Sequence, residues 1–312
     1  MVTGYGSCMS AATLLRGFEP HFAEIDGVPT RWFVGGEGPP LVVVHGIGGA
    51  AVNFAELAPL LARRRRVLVP DLPGHGGSAA LPAAESLSDF AAHVIRVADH
   101  EEMLPAAVLG YSMGGVVALR AAVGWPEAVS ALALVAPAGI VSTTRRAQIW
   151  LTIVSVIRPA RFVARARRVI ARRPNLRPLA FGVWGAADPR RLSPRSVLGF
   201  LEGPLEHTDV GGAGRALVRD DPRQDLDRVR CPTLLVWGAR DRLIPLEDGF
   251  EYARRLRAPI RVVPAAGHLV VGEQPEACAE ILLEFLNRIG EVDELPLEAE
   301  LLGQLRREGA DP

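Results

Sequence analysis

Short apolar runs recur along this 312-residue chain, and each one empties into a loop rich in glycine or acid. Leu41-Val42-Val43-Val44 leads into His45-Gly46-Ile47-Gly48-Gly49, and Val67-Leu68-Val69 into Asp71-Leu72-Pro73-Gly74-His75-Gly76-Gly77-Ser78. Ala106 to Leu109 leads into Gly110-Tyr111-Ser112-Met113-Gly114. Thr233 to Trp237 leads into Gly238-Ala239-Arg240-Asp241-Arg242, and Ile260 to Val263 into a loop with Gly267-His268. Runs this apolar, without alternation, suit strands buried on both faces. Val129 to Val135 reads as a further strand. Between the runs lie stretches of helical character: 54–62, 86–103, 246–256 and 275–289. In the second, Leu87, Phe90, Val94 and Val97 recur at helical spacing after Ser86, a suitable N-cap. Strand alternating with helix predicts an α/β fold: a mostly parallel central sheet with helices on both faces. Phe22 to Ile25 and Arg31 to Val34, around Asp26-Gly27, predict a hairpin ahead of it.

The alternation stops at 140 and resumes at 229. The chain therefore divides into a first core part (1–139, with 1–18 a loose extension), an inserted helical segment (140–228) and a second core part (229–312). The last part ends in a charged tail carrying Leu295, Leu297, Leu301, Leu302 and Leu305. No apolar run approaches the ~20 residues that span a bilayer; the longest candidate is Ile149 to Ile157. The N-terminal residues lack the basic and apolar regions of a secretion signal. The three cysteines, Cys8, Cys231 and Cys278, are widely spaced and suggest neither a disulfide framework nor a metal cluster. That usage fits a reducing cytoplasm. Formal net charge is zero, so nothing global points to nucleic acid. Every basic residue other than histidine is arginine, which removes lysine from any catalytic role.

Gly110-Tyr111-Ser112-Met113-Gly114 has the form G-x-S-x-G between a strand and a helix, the pattern of a nucleophile elbow. Its glycines let strand and helix approach closely and leave Ser112 at the tip of the turn. In a parallel sheet the functional loops gather at the carboxyl ends of the strands. Asp241 and His268 occupy two such ends, giving the chain order Ser, Asp, His. The chemistry needs these three types. A serine hydroxyl attacks well only when an imidazole takes its proton, and a carboxylate fixes the ring tautomer and steadies the imidazolium. A developing oxyanion needs donors; the main-chain N–H groups of Ile47 and Met113 are the candidates, leaving both side chains free to line an acyl pocket. Gly46, Tyr111 and Leu269, the sequence neighbours of these residues, are expected at the substrate. His45 and His75 read as structural residues bracing their loops, and Asp71 as holding its own turn.

These motifs resemble the α/β-hydrolase fold superfamily, with the elbow G-x-S-M-G-G, the loop H-G-x-G-G and the turn D-x-P-G-x-G-x-S standing at 110–115, 45–49 and 71–78. The resemblance covers about 20–140 and 229–289. It implies a serine hydrolase with the triad Ser112, His268 and Asp241, no cofactor and no metal, and a helical cap over the site at 140–228. It implies an esterase-like reaction on a small-molecule acyl substrate. C–C bond hydrolysis, a biosynthetic acyl transfer or lactonisation, and a non-catalytic ligand-binding role remain alternatives on the same fold. Serine rather than aspartate at the elbow sets aside the dehalogenase and epoxide hydrolase branches. Leu269 departs from the aromatic residue that usually follows the histidine of ring-cleavage hydrolases.

The inserted segment is strongly basic. Arg145, Arg146, Arg158, Arg161, Arg165, Arg167, Arg168, Arg172, Arg173, Arg177, Arg190, Arg191 and Arg195 face a single acid, Asp188, between Ile140 and Phe200. Trp150, Val154, Ile157, Phe162, Val169 and Ile170 interleave with them. This is the pattern of an amphipathic cap with arginines in water. It is also that of a cap reaching an anionic substrate, an anionic lipid or a carrier protein.

Overall fold

The computed structural model describes residues 13–82, 86–138, 163–206 and 209–293. Cys8, the arginines from 145 to 161, the apolar residues from 149 to 162 and the leucines of the tail lie outside them. Eight strands form one sheet: β1 (Phe18–Ile25), β2 (Val28–Gly35), β3 (Pro40–Val44), β4 (Arg66–Pro70), β5 (Ala106–Tyr111), β6 (Val129–Val135), β7 (Thr233–Gly238) and β8 (Ile260–Val263). Their spatial order is β1-β2-β4-β3-β5-β6-β7-β8. The hairpin β1–β2 and the β2–β4 pairing are antiparallel; the remaining pairings are parallel. The α/β architecture expected from the alternation is therefore present.

Strand periodicity decides which side chain meets which layer. Val42, Val44, Leu68, Val108, Leu132, Leu134, Leu235 and Trp237 point to one face. There they pack under the helices Leu87–His100, Met113–Gly124 and Leu246–Leu256. Leu41, Val43, Val67, Val69, Leu109, Ala133, Val135 and Val236 point to the other. That face is covered by a 3-10 turn at Ala51–Phe54 and the helices Leu57–Leu61 and Pro275–Asp293. In chain order the helices are α1 (Leu57–Leu61), α2 (Leu87–His100), α3 (Met113–Gly124), α4 (Arg167–Arg172), α5 (Arg177–Gly185), α6 (Pro194–Glu206), α7 (Val210–Arg219), α8 (Leu246–Leu256), α9 (Val270–Glu273) and α10 (Pro275–Asp293). At the start of α2 the Ser86 N–H donates to the Asp89 carboxylate at 2.9 Å, the reciprocal arm of a capping box.

Three elements differ from the sequence reading. The single helix expected over 54–62 is a 3-10 turn followed by a short α1. Pro59 explains the break: it has no N–H for the Ala55 carbonyl and its ring crowds that residue. The hairpin is longer than expected, since β1 begins at Phe18 and pairs it with Gly35. Phe18 is buried there, and a Cβ on Gly35 would lie 2.8 Å from its ring. Finally, α10 runs on to Asp293.

The described part of the insertion, residues 163–206 and 209–228, holds helices and 3-10 turns and no strand. Ile170, Ala171, Ala186, Leu192, Val197 and Leu201 give it a small core of its own. It docks on the sheet layer at several points. Helix α6 lies against the 51–54 turn so closely that a Cβ on Gly199 would sit 2.3 Å from the Val52 carbonyl. The Asn53 amide donates to the Gly199 carbonyl at 3.1 Å. Arg31 on β2 binds Glu206 at the end of α6 at 2.6 Å. Arg120 on α3 binds Asp220 at 2.6 Å and also Asp225.

Candidate active site

Ser112 stands between β5 and α3 with φ 56° and ψ −122°, a left-handed backbone rarely taken by a residue with a Cβ. The turn is held on both sides. The Ser112 N–H donates to the Val135 carbonyl at 3.0 Å, and its carbonyl accepts from Gly115 at 2.9 Å and Ala138 at 3.0 Å. The flanking glycines are required by close approach. A Cβ on Gly110 would lie 2.2 Å from the Gly114 carbonyl, and one on Gly114 would lie 2.4 Å from the His45 carbonyl.

The three side chains singled out from the strand ends meet. The His268 Nε2 lies 3.0 Å from the Ser112 Oγ, and the His268 Nδ1 lies 2.8 Å from the Asp241 Oδ2. A carboxylate can only accept, so Nδ1 carries the proton and Nε2 is left as the acceptor for the serine hydroxyl. The second carboxylate oxygen, Oδ1, accepts the N–H groups of Leu243 at 2.9 Å and Ile244 at 2.8 Å. The Asp241 side chain is closed to solvent and that of His268 nearly so. These contacts, with both Asp241 oxygens occupied, fix the imidazole plane.

The loop after β3 passes directly over the serine: a Cβ on Gly46 would lie 2.9 Å from the Ser112 Cβ. The N–H groups of Ile47 and Met113 have no acceptor among the described residues. Met113 is the first residue of α3, where a helix leaves its donors unpaired. Its side chain, however, is fully buried in the core and reaches no solvent, which corrects the expectation that it lines an acyl pocket. Ile47 is partly exposed. Tyr111 is buried, with its ring 5.3 Å from the His268 ring and edge-on to Phe54. Burial, with Asp241 and Glu273 nearby, pushes its phenol well above the usual range. Leu269 is partly buried against the small core of the insertion, and its N–H donates to the Gly185 carbonyl at 2.9 Å.

The supporting residues are mostly as expected. His45 is buried; its Nδ1 lies 2.8 Å from the Gly46 carbonyl and its Nε2 accepts the Leu72 N–H at 3.0 Å. It therefore ties two strand-end loops together, with Nδ1 as donor. His75 packs 5.2 Å from it, and burial lowers its pKa to about 3. Asp71 accepts the Gly77 N–H of its own turn at 2.9 Å, as expected. It also accepts the Ala51 N–H at 2.7 Å and the Arg31 guanidinium at 2.6 Å. Although burial alone would raise it, Arg31 and these donors hold its carboxyl below the usual range.

Two positioning residues carry no sequence signal. Glu273, at the end of α9, accepts the Gly267 N–H at 2.7 Å and the Ala187 N–H at 2.6 Å, joining the histidine loop to the insertion. Burial raises its pKa. Asn53 accepts the Ala50 N–H at 3.2 Å while donating to Gly199, so it braces the loop that carries Ile47. Each acts through main-chain groups, which residue-type patterns do not reveal. Among the described residues no group of three or more His, Cys, Asp or Glu side chains is arranged to hold a metal ion.

A strand–serine–helix elbow, an imidazole and a buried carboxylate in one chain of contact, on a mostly parallel sheet, define the α/β-hydrolase class. Residues 41–281 match the profile of the alpha/beta hydrolase family, and the chain belongs to that family. It is 35% identical over 286 residues to the dihydrolipoyllysine-residue acetyltransferase component of the acetoin cleaving system of Pseudomonas putida, covering 88% of this chain and 70% of that protein. It is 35% identical over 244 residues to the pimeloyl-[acyl-carrier protein] methyl ester esterase of Chromobacterium violaceum, covering 75% of this chain and 88% of that one. Among solved structures, a hydrolase from Pseudomonas aeruginosa PA01 superposes with a TM-score of 0.69 at 25% identity, over 86% of this chain and 98% of that chain.

Proposed function

We propose that this protein is a serine hydrolase that cleaves a carboxylic ester by way of an acyl-enzyme. One observation carries the reading: the unbroken contact Ser112 Oγ–His268 Nε2 at 3.0 Å and His268 Nδ1–Asp241 Oδ2 at 2.8 Å. In this reading Ser112 attacks the ester carbonyl while His268 takes its proton. Asp241 holds the Nδ1–H tautomer and stabilises the imidazolium. The oxyanion is bound by the N–H groups of Ile47 and Met113, both without an acceptor among the described residues. The C–O bond then breaks and His268 delivers its proton to the leaving alcohol. Water, deprotonated by the same imidazole, hydrolyses the acyl-serine and restores the hydroxyl. The name of the Chromobacterium violaceum relative supports an ester as substrate. Gly46, Tyr111 and Leu269 border the reacting group in this reading, Tyr111 by backing the imidazole. Among the described residues Cys231 and Cys278 form no disulfide, which agrees with the proposed cytoplasmic setting. No described helix is long and apolar enough to cross a membrane.

The test is covalent. A fluorophosphonate probe is expected to label the full-length protein at Ser112, and Ser112→Ala to abolish both labelling and hydrolysis of p-nitrophenyl acyl esters while keeping the thermal melt. Labelling elsewhere, or ester turnover by Ser112→Ala at the wild-type rate, would refute the assignment.

A further inference from the structure

Helix α4 carries Arg168, Val169 and Arg172, of which 168 and 172 are neighbours at i and i+4. All three are exposed. The opposite side, Ile170 and Ala171, is buried in the core of the insertion. Beyond α4 the chain is drawn back onto this face by a buried arginine. The Arg177 guanidinium donates to the Ala171 carbonyl at 2.7 Å, to the Arg190 carbonyl at 2.7 Å and to the Leu192 carbonyl. One planar cation thereby holds the end of α4 beside the 190–192 turn, and it brings the exposed pairs Arg172-Arg173 and Arg190-Arg191 to neighbouring points of the surface.

No carboxylate among the described residues pairs with Arg168, Arg172, Arg173, Arg190 or Arg191. Elsewhere, surface arginines are commonly paired: Arg223 with Asp221, Arg254 and Arg255 with Glu251, Arg288 with Glu284. Among the described residues Arg177 has only carbonyls for partners, so it too leaves its positive charge without a paired carboxylate there. Two apolar side chains stand out among these cations. Leu179, two residues beyond Arg177, is 78% exposed, and Val169 is 49% exposed. The whole chain has a formal net charge of zero, so attraction to an anion comes from this face and not from the molecule at large.

We propose that this face of the insertion, Arg168, Arg172, Arg173, Arg190 and Arg191 around Leu179 and Val169, docks on an anionic phospholipid surface. Guanidinium groups pair with headgroup phosphates, bidentately where geometry allows. Leucine and valine between them enter the boundary between headgroups and acyl chains while the arginine stems lie along it. An outward leucine favours this over an acidic protein, whose surface would leave that side chain in water. The proposal is independent of the catalytic reading: the arginines named make no contact with Ser112, His268 or Asp241.

Co-sedimentation of the full-length protein with vesicles tests it. The protein is expected to bind equimolar phosphatidylglycerol–phosphatidylcholine vesicles and to stay in the supernatant with phosphatidylcholine alone. Binding should fall steeply as salt is raised, because exposed charges are screened. The variant R172Q/R173Q/R190Q/R191Q should bind at least ~10-fold more weakly, since each basic residue near an anionic surface contributes separately. Leu179→Ser should weaken binding without changing its salt dependence. Hydrolysis of a soluble short-chain ester and the thermal melt should be unchanged in both variants. Failure to bind anionic vesicles, equal binding to both compositions, or wild-type binding by the quadruple variant would each overturn the proposal. So would retention on immobilised polyglutamate without vesicle binding, which would assign the face to an acidic protein.

Discussion

Gly46 and Ser112 are pressed together so tightly that a methyl group on residue 46 would meet the serine Cβ at 2.9 Å. The same loop offers the Ile47 N–H. Space for the serine side chain and the position of the Ile47 N–H are therefore set by one missing side chain. Gly46→Ala is expected to push the loop or the serine by a few tenths of an ångström. A displaced oxyanion donor costs about 10²-fold in kcat. KM should move much less, and the thermal melt only slightly, because the strain is local. Steady-state kinetics on a soluble ester checks this, and a wild-type kcat would remove Ile47 from the oxyanion site.

Asp241→Asn separates the charge of that residue from its structural work. The amide oxygen still accepts from Leu243 and Ile244, so the loop keeps its shape. The amide nitrogen now faces His268 Nδ1 and favours the tautomer with the proton on Nε2, which cannot take one from Ser112. A loss of roughly 10³- to 10⁴-fold in kcat is expected, with an unaltered melt. A loss below tenfold would mean that another group orients the imidazole.

Glu273 is expected to matter for catalysis without touching substrate. Glu273→Gln keeps one acceptor and turns an NH₂ toward one of the two main-chain donors, Gly267 or Ala187. An unpaired buried donor costs about 1–3 kcal/mol. The melt should drop accordingly, and kcat should fall with it because Gly267 adjoins His268. If stability falls while kcat stays at the wild-type value, the residue is a staple for the insertion and nothing more.

Two buried histidines should contribute to the acid sensitivity of the fold. His93 lies 2.9 Å from the Thr30 hydroxyl, and burial lowers its pKa to about 4, with Arg96 adding to the effect. His75 is lowered to about 3, again chiefly by burial. Both are neutral in the folded protein near pH 7. Below about pH 6.5 the unfolded chain binds their protons and the folded chain does not, so stability falls as pH drops from 6.5 toward 4. The slope is up to about 1.4 kcal/mol per pH unit for each histidine. Urea melts across that range should show it, and His93→Gln should flatten the curve. An unchanged slope in His93→Gln would place the acid sensitivity elsewhere.

Most of the sheet could be read from the residues because buried parallel strands are runs of one chemical kind. Ile260–Val263 and Leu246–Leu256 have the expected limits. The meeting of residues 112, 241 and 268 was legible for a related reason, since each follows a strand of the parallel set and so arrives at the same edge. Helix ends were less legible: Pro59 divides one expected helix, and nothing breaks α10 before Asp293. His45 and Asp71 were legible as braces of their own loops, but the braces between segments were not. Asn53 and Glu273 each bind one nearby peptide group and one from a distant segment, Gly199 and Ala187, and Arg31 reaches Asp71 and Glu206 only once β2 and α6 are in place. Such contacts depend on tertiary geometry, which local pattern does not encode.

The bridges described above that hold the insertion down, Arg31 to Glu206 and Arg120 to Asp220 and Asp225, use guanidinium on the basic side in every case. A lysine in those places would discharge in strongly alkaline buffer, where arginine stays charged, and amine-directed acylating reagents would strip its charge. Arginine does neither. The attachment of the insertion to the sheet at these bridges should therefore outlast both treatments.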